Sequence, residues 1–131
     1  NAGLGAVHGF ASAFGGAFRA PHGAVCAALL PHVTRINIRA LRERAPDAAA
    51  LDRYAKIAGI LTHSPEASPE DAVTAISQIC EALCITPLST WGITAGDVAS
   101  ICANAARASS MKANPIPLTA AELEEALRLA L

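Results

Sequence analysis

Aromatic side chains are scarce in this chain, with three Phe, one Tyr and one Trp among 131 residues. Sheets use aromatic and β-branched side chains to fill their pleated faces. No segment alternates in strand fashion either, so a sandwich or barrel is excluded. Charge of one sign is also lacking. The net charge is −1 and no basic stripe runs along the chain, which argues against nucleic acid as a partner. No apolar run is long enough for a membrane span, and residues 4–18 are interrupted by Gly and His. No charged stretch leads into an apolar run and cleavage site, so no signal peptide is expected. Nothing demands an oxidising compartment, and the cytoplasm is the expected location. Missing too is a Gly-rich loop that could cradle the phosphates of a dinucleotide.

What is present is alanine, in a chain that is 53% hydrophobic. Small residues favour closely packed helices, and the length suits one domain with its own core. The expected architecture is all-α, with about six helices. The first covers about residues 3–14 and ends at Gly15-Gly16. Pro21 opens a long helix that runs to about Arg44 and buries Val25, Leu29, Val33, Ile36 and Ala40. Pro31 inside it should kink the helix or remove one hydrogen bond. A third helix spans about 47–61, with a stripe of Leu51, Tyr54, Ala55, Ala58 and Leu61. The fourth starts at Ser68-Pro69, with Asp71 completing a cap, and buries Ala72, Val73, Ile76, Ile79, Cys80 and Leu83. Thr94 with Asp97 caps a helix of about 95–108. Thr119 with Glu122 caps the last, where Leu118 and Leu123 are spaced for a hydrophobic staple. The four arginines between Arg35 and Arg44 read as a solvated helix face. Cys26, Cys80, Cys84 and Cys102 fall at or near apolar positions and read as small buried hydrophobes. The one-turn spacing of Cys80 and Cys84 suits a disulfide poorly.

The residues that carry chemistry lie near the start. His8 sits in a small-residue helical run, and His22 follows Pro21 at the head of the long helix. The glycine pair between them lets the chain turn back, so two imidazoles from adjacent segments can meet. Imidazole is the commonest protein ligand for borderline divalent metals. His32 lies nearly three turns past His22 and His63 in a turn, so both are expected outside the site. Phe14 and Phe18 flank the glycines and read as core fillers rather than pocket walls.

The stretch GAVHGFASAFGGAFRAPHGAVCAALLPHVTRIN resembles the second half of the metal site of the iron-containing (group III) alcohol dehydrogenases. There, a small-residue helix carrying histidine leads through Gly-Gly to Pro-His-Gly and a long helix. The match is specific over the first 40 or so residues. It is looser afterwards, where Asn114-Pro115 precedes the last helix. The resemblance implies the multi-helix C-terminal domain of that family, a dehydroquinate-synthase-like helical domain. It implies that His8 and His22 bind a divalent metal, iron or zinc, together with an Asp and a His from an earlier segment. It implies NAD or NADP as cofactor of the whole enzyme and a small alcohol or carbonyl compound as substrate. Two positions depart from the pattern. Ser12 stands where many members carry another histidine near the nicotinamide, and Ile116 replaces the arginine of Asn-Pro-Arg.

Residues 1–131 are therefore expected to be one helical metal-binding domain, a tail piece of a longer polypeptide. The partner would be its own upstream dinucleotide-binding domain, and a homo-oligomer is compatible with this reading. No catalytic residue is assigned within the chain. The rival readings are a zinc polyol dehydrogenase, a metal-free keto-acid reductase of the same superfamily, and a non-catalytic helical interaction domain that kept the fold.

Overall fold

Six α-helices make up the fold in a computed structural model that describes residues 4–14 and 18–131. They are α1 (Ala6–Ala13), α2 (His22–Arg44), α3 (Ala49–Thr62), α4 (Pro69–Ala82), α5 (Val98–Arg107) and α6 (Ala120–Leu129). Three 3-10 turns, at Leu88–Trp91, Ala95–Asp97 and Ser109–Ala113, fill the connections. No strand occurs among the described residues, as the composition implies. No described helix is long and apolar enough to cross a membrane. The turn expected at Gly15-Gly16 lies outside the described residues.

The helix α2 is the spine, packing against α1, α3, α4 and α6. It starts directly after Pro21, whose extended backbone makes it the N-cap, and it ends at Arg44 as the sequence implies. Val25, Leu29, Val33, Ile36 and Ala40 are all buried. The helix continues through Pro31. Proline has no N–H, so the Ala27 carbonyl one turn earlier loses its usual donor. The Cys80 thiol on α4 takes that place, donating to Ala27 O at 3.7 Å.

One core cluster joins α1, α2, α5 and α6 around Phe10, Leu29, Ile36, Val98 and Leu127. Each fully buried side chain of this size contributes roughly 1.5–3 kcal/mol. That burial matters most for α1, whose eight residues would be marginal as a free helix. A second cluster holds Ile38, Leu41, Leu51, Val73 and Ile116.

The first N–H of α1 finds its acceptor far along the chain. Ala6 N donates to Asn114 Oδ1 at 3.0 Å. Asn114 and Asn37 exchange two amide bonds, at 2.7 and 3.2 Å, and Asn114 Nδ2 also donates to Ile116 O at 2.8 Å. Asn37 is buried and donates to Tyr54 Oη as well. Gly5 accommodates this approach, since a Cβ there would lie 3.1 Å from Asn114 Oδ1.

The caps fall where the sequence puts them. Asp71 accepts from both the N–H and the hydroxyl of Ser68, and Asp97 does the same for Thr94. At α6 the exchange is reciprocal. Thr119 N donates to Glu122 Oε2 at 2.7 Å, and Glu122 N donates to Thr119 Oγ1 at 3.2 Å. Glu122 also accepts from Arg44 at 2.6 Å. The arginine-rich face of α2 is thus more than solvated. Arg42 pairs with Glu70 of α4, while Arg39 and Arg44 pair with Glu125 and Glu122 of α6.

The expected stripes of α3 and α4 are only partly covered. Leu51, Ala58, Ala72 and Val73 are buried, but Leu61, Ile79 and Leu83 are exposed. With Leu30, Val33 and Ile76 these side chains line an apolar groove of about 590 Å³.

Asn114→Ala should lower unfolding stability by about 2–4 kcal/mol, because it strands buried amide groups of Ala6 and Asn37. Urea unfolding checks this, and a loss under about 0.5 kcal/mol would show that water replaces the pair without cost. A pH dependence also follows. The Arg44 hydrogen bond is the main cause that holds the Glu122 carboxyl below its ordinary 4.5. A depressed folded value means the stabilisation is complete above the unfolded value and is lost as pH falls through the folded one. Glu122→Gln should therefore destabilise at neutral pH, and its urea midpoint should converge with that of the parent as pH falls below 4.5.

Candidate metal centre

Each of the two histidines is fixed by its helix. His8 stands in the middle of α1, whose opposite face buries Ala6 and Phe10. Gly9 lets α1 approach the chain near Met111, since a Cβ there would meet Met111 Cε at 2.7 Å. His22 is the first residue of α2. The structure brings the two rings together, with centroids 5.4 Å apart and planes inclined by 55°. Two imidazoles sharing one tetrahedral ion through nitrogens at about 2 Å have centroids about 5 Å apart. The observed spacing fits such a site.

A third group joins them. Cys26, one turn after His22 on α2, has its Sγ 3.5 Å from His22 Nε2. One ligand-capable atom from each of His8, His22 and Cys26 lies within 4.8 Å of the others. His22 is exposed, and His8 and Cys26 are half-buried, so the cluster opens outward. Burial pushes the Cys26 thiol up from its usual value. Reading Cys26 as a core hydrophobe missed this neighbour. The available signal was the His-x-x-x-Cys spacing, which puts both side chains on one helix face.

Of the other cysteines, Cys102 is buried as the sequence reading has it, whereas Cys80 and Cys84 are not. Only Cys102 is buried, and desolvation pushes its thiol up to about 11. Cys80 is half-buried, and Cys84 is exposed beyond the end of α4 with a left-handed φ of 52°. All four are free thiols.

The remaining candidates keep structural places. His32 is half-buried and lines a small pocket with Pro31 and Ile85, and burial, then the nearby Arg35 charge, lowers its pKa. His63 ends α3 in the left-handed conformation, with φ 55°. Neither belongs to the His8–His22–Cys26 cluster. Phe14 is buried and meets Phe18 edge-on at 6.0 Å, which is core packing. Ser12 donates to Gly9 O at 2.9 Å, so its hydroxyl is engaged with its own helix.

The sequence and the fold are both similar to those of known proteins. The family model described as "Fe-containing alcohol dehydrogenase family, C-terminal" matches residues 1–131. The chain belongs to that family and represents its all-helical C-terminal part. It is 40% identical over 79 residues to 1,3-propanediol dehydrogenase of Klebsiella pneumoniae, covering 60% of this chain and 19% of that protein. It is 36% identical over 78 residues to lactaldehyde reductase of Escherichia coli (strain K12), covering 60% and 20%. Among solved structures, a 1,3-propanediol oxidoreductase superposes with TM-score 0.80 at 28% identity, over 98% of this chain and 33% of that one. An alcohol dehydrogenase from Oenococcus oeni gives 0.76 at 28% identity, with the same coverage. The chain spans about a fifth of the length of the curated relatives it matches.

The exposure of the cysteines sets their reactivity, since the thiolate is the attacking species and must be reached. In the metal-free folded protein, iodoacetamide should modify Cys84 first and Cys102 last. Peptide mass spectrometry over a time course reads the order. Early modification of Cys102 would show that the α5–α6 packing opens readily.

Proposed function

We propose that this chain is the metal-binding helical domain of an NAD(P)-dependent alcohol dehydrogenase that interconverts a small alcohol and its aldehyde or ketone. The observation that carries this reading is the His8–His22 pair, at 5.4 Å between centroids, within a chain of the iron-containing family. When bound, the metal supplies Lewis acidity toward the alcohol oxygen and the nicotinamide accepts the hydride.

In this reading His8 and His22 bind as neutral imidazoles, which hold a cation without cancelling its charge. The short α1 and the first turn of α2 orient them, and the buried Phe10 and Val25 keep those helices from shifting. The Ser12 hydroxyl does not ionise near neutral pH, and it already donates to Gly9 O. Proton relay therefore falls to water, a cofactor ribose or another group. The remaining ligands, an Asp and a His, and the nucleotide-binding domain belong to a preceding part of the polypeptide. That assignment is supported by the absence of a phosphate-binding Gly-rich loop here. The active site then lies between the two domains. Two imidazoles alone do not choose iron over zinc.

By itself the 131-residue chain should reduce neither NAD nor NADP with any small alcohol. In the full-length enzyme, His22→Ala should empty or weaken the metal site and abolish turnover, while His63→Ala should leave both nearly intact. Metal analysis and turnover on folded variants check this. Full metal and near-normal turnover in His22→Ala would overturn the assignment.

A further inference from the structure

The apolar groove between α2, α3 and α4, about 590 Å³ in volume, is lined by neither His8 nor His22. Each of the three helices turns a stripe toward it at helical spacing. Leu30 and Val33 lie on α2, Ile57 and Leu61 on α3, and Ile79 and Leu83 at the end of α4. All but Val33 are exposed, Leu83 by 67%. Folded chains rarely leave apolar surface contiguous and uncovered unless something binds it. Three of the polar side chains that line the groove, Asn37, Tyr54 and Asn114, already bond one another. A polar ligand would find little to hold it, so the groove suits apolar side chains. Three helices around one trough also leave the shape of a fourth. Along α4 the lining runs from Ala72 to Leu83, roughly 16 Å or about three helical turns.

We infer that this groove seats a helix of about three turns from the preceding part of the same polypeptide, with apolar residues at i, i+3 or i+4, and i+7. This rests on the reading of the chain as one domain of a longer enzyme. Two observations select that occupant. First, 98% of this chain superposes on only 33% of the 1,3-propanediol oxidoreductase chain, so most of such a protein lies outside the matched part and can supply the helix. Second, Gly5, Ala6 and Val7 also line the groove, so a segment seated there lies against the start of the helix that carries His8. A second copy of the chain fits less well. A symmetric pair would set one groove against the other, and two concave faces leave a void rather than a contact.

The test compares the 131-residue chain with the full-length enzyme. Cys80 lines the groove, so its reaction with N-ethylmaleimide needs no variant. Followed by peptide mass spectrometry, that reaction should be about tenfold or more slower in the full-length enzyme, where a seated helix must open first. Leu83→Lys gives a second readout. In the chain this side chain is exposed, and a cation suits the C-terminal end of a helix, so the urea midpoint should hold. In the full-length enzyme the ammonium would be buried against apolar groups, and the midpoint should fall by about 0.5 M or more. Equal Cys80 rates in the two proteins, or a full-length midpoint unmoved by Leu83→Lys, would overturn the inference. So would Cys80 protection that appears in the chain alone as its concentration rises, because a second copy would then be the occupant. A full-length protein that protects Cys80 but binds no metal and oxidises no alcohol would sink the functional reading and leave this one standing.

Discussion

The paired amides of Asn37 and Asn114 are the constraint on which the site depends. Asn37 sits on the buried face of α2, and Asn114 follows the Ser109–Ala113 turn. Their reciprocal bonds satisfy two polar groups that would otherwise be expensive inside a protein. The same Asn114 oxygen accepts the first N–H of α1. One side chain thus ties three segments together and sets where α1 begins. Since α1 is only two turns long, fixing its start largely fixes His8. The distance between His8 and His22 is therefore decided by an asparagine at the other end of the sequence.

The spine helix solves one problem at its middle and another toward its C-terminus. Near its middle Pro31 frees the Ala27 carbonyl, and a thiol from α4 approaches it. This donor is weak, but it limits the cost of a bare buried carbonyl and draws α4 toward α2. Towards its C-terminus Arg39, Arg42 and Arg44 reach glutamates of α4 and α6. Two of these pairs are exposed on both sides, and such pairs add little stability. Their geometry is directional, however, and it sets how α4 and α6 lie along α2. Glu122 is the exception, since its side chain is only 10% exposed. It accepts from the Thr119 N–H and from Arg44 together, which links the cap of α6 to the end of α2.

Most of the helix ends were legible because local chemistry decides them. Ser68-Pro69, Thr119 with Glu122, and Pro21 each carry their own signal, and the helices start there. His8 and His22 were legible as a pair because the residues around them form a motif. Periodicity failed where it was asked about covering rather than about faces. Leu61, Ile79 and Leu83 do lie on apolar stripes, yet they are exposed, since a stripe says nothing of whether another element packs on it. The cysteines failed for a related reason. Cys26, Cys80 and Cys102 all sit at apolar helical positions, but one meets a histidine and one a carbonyl, while Cys102 alone joins the apolar core as expected. Those neighbours come from tertiary placement or from an i,i+4 partner that was not weighed. Asn37 and Asn114 were visible as residues in the pattern, but nothing local tells that they touch across 77 positions.

That long reach has a kinetic side. The bond between Ala6 and Asn114 joins residues 108 apart, so nearly the whole chain must be placed before it can form. Closing so large a loop is entropically slow, and contacts of this kind dominate folding time. The start of α1, and with it His8, thus rests on a contact that needs the Ser109–Ala113 turn in place. A protease cut between α5 and α6 would leave every residue of the His8–His22–Cys26 cluster intact and still let the cluster disperse. The distal loop, as well as the local sequence around the histidines, therefore holds the cluster together.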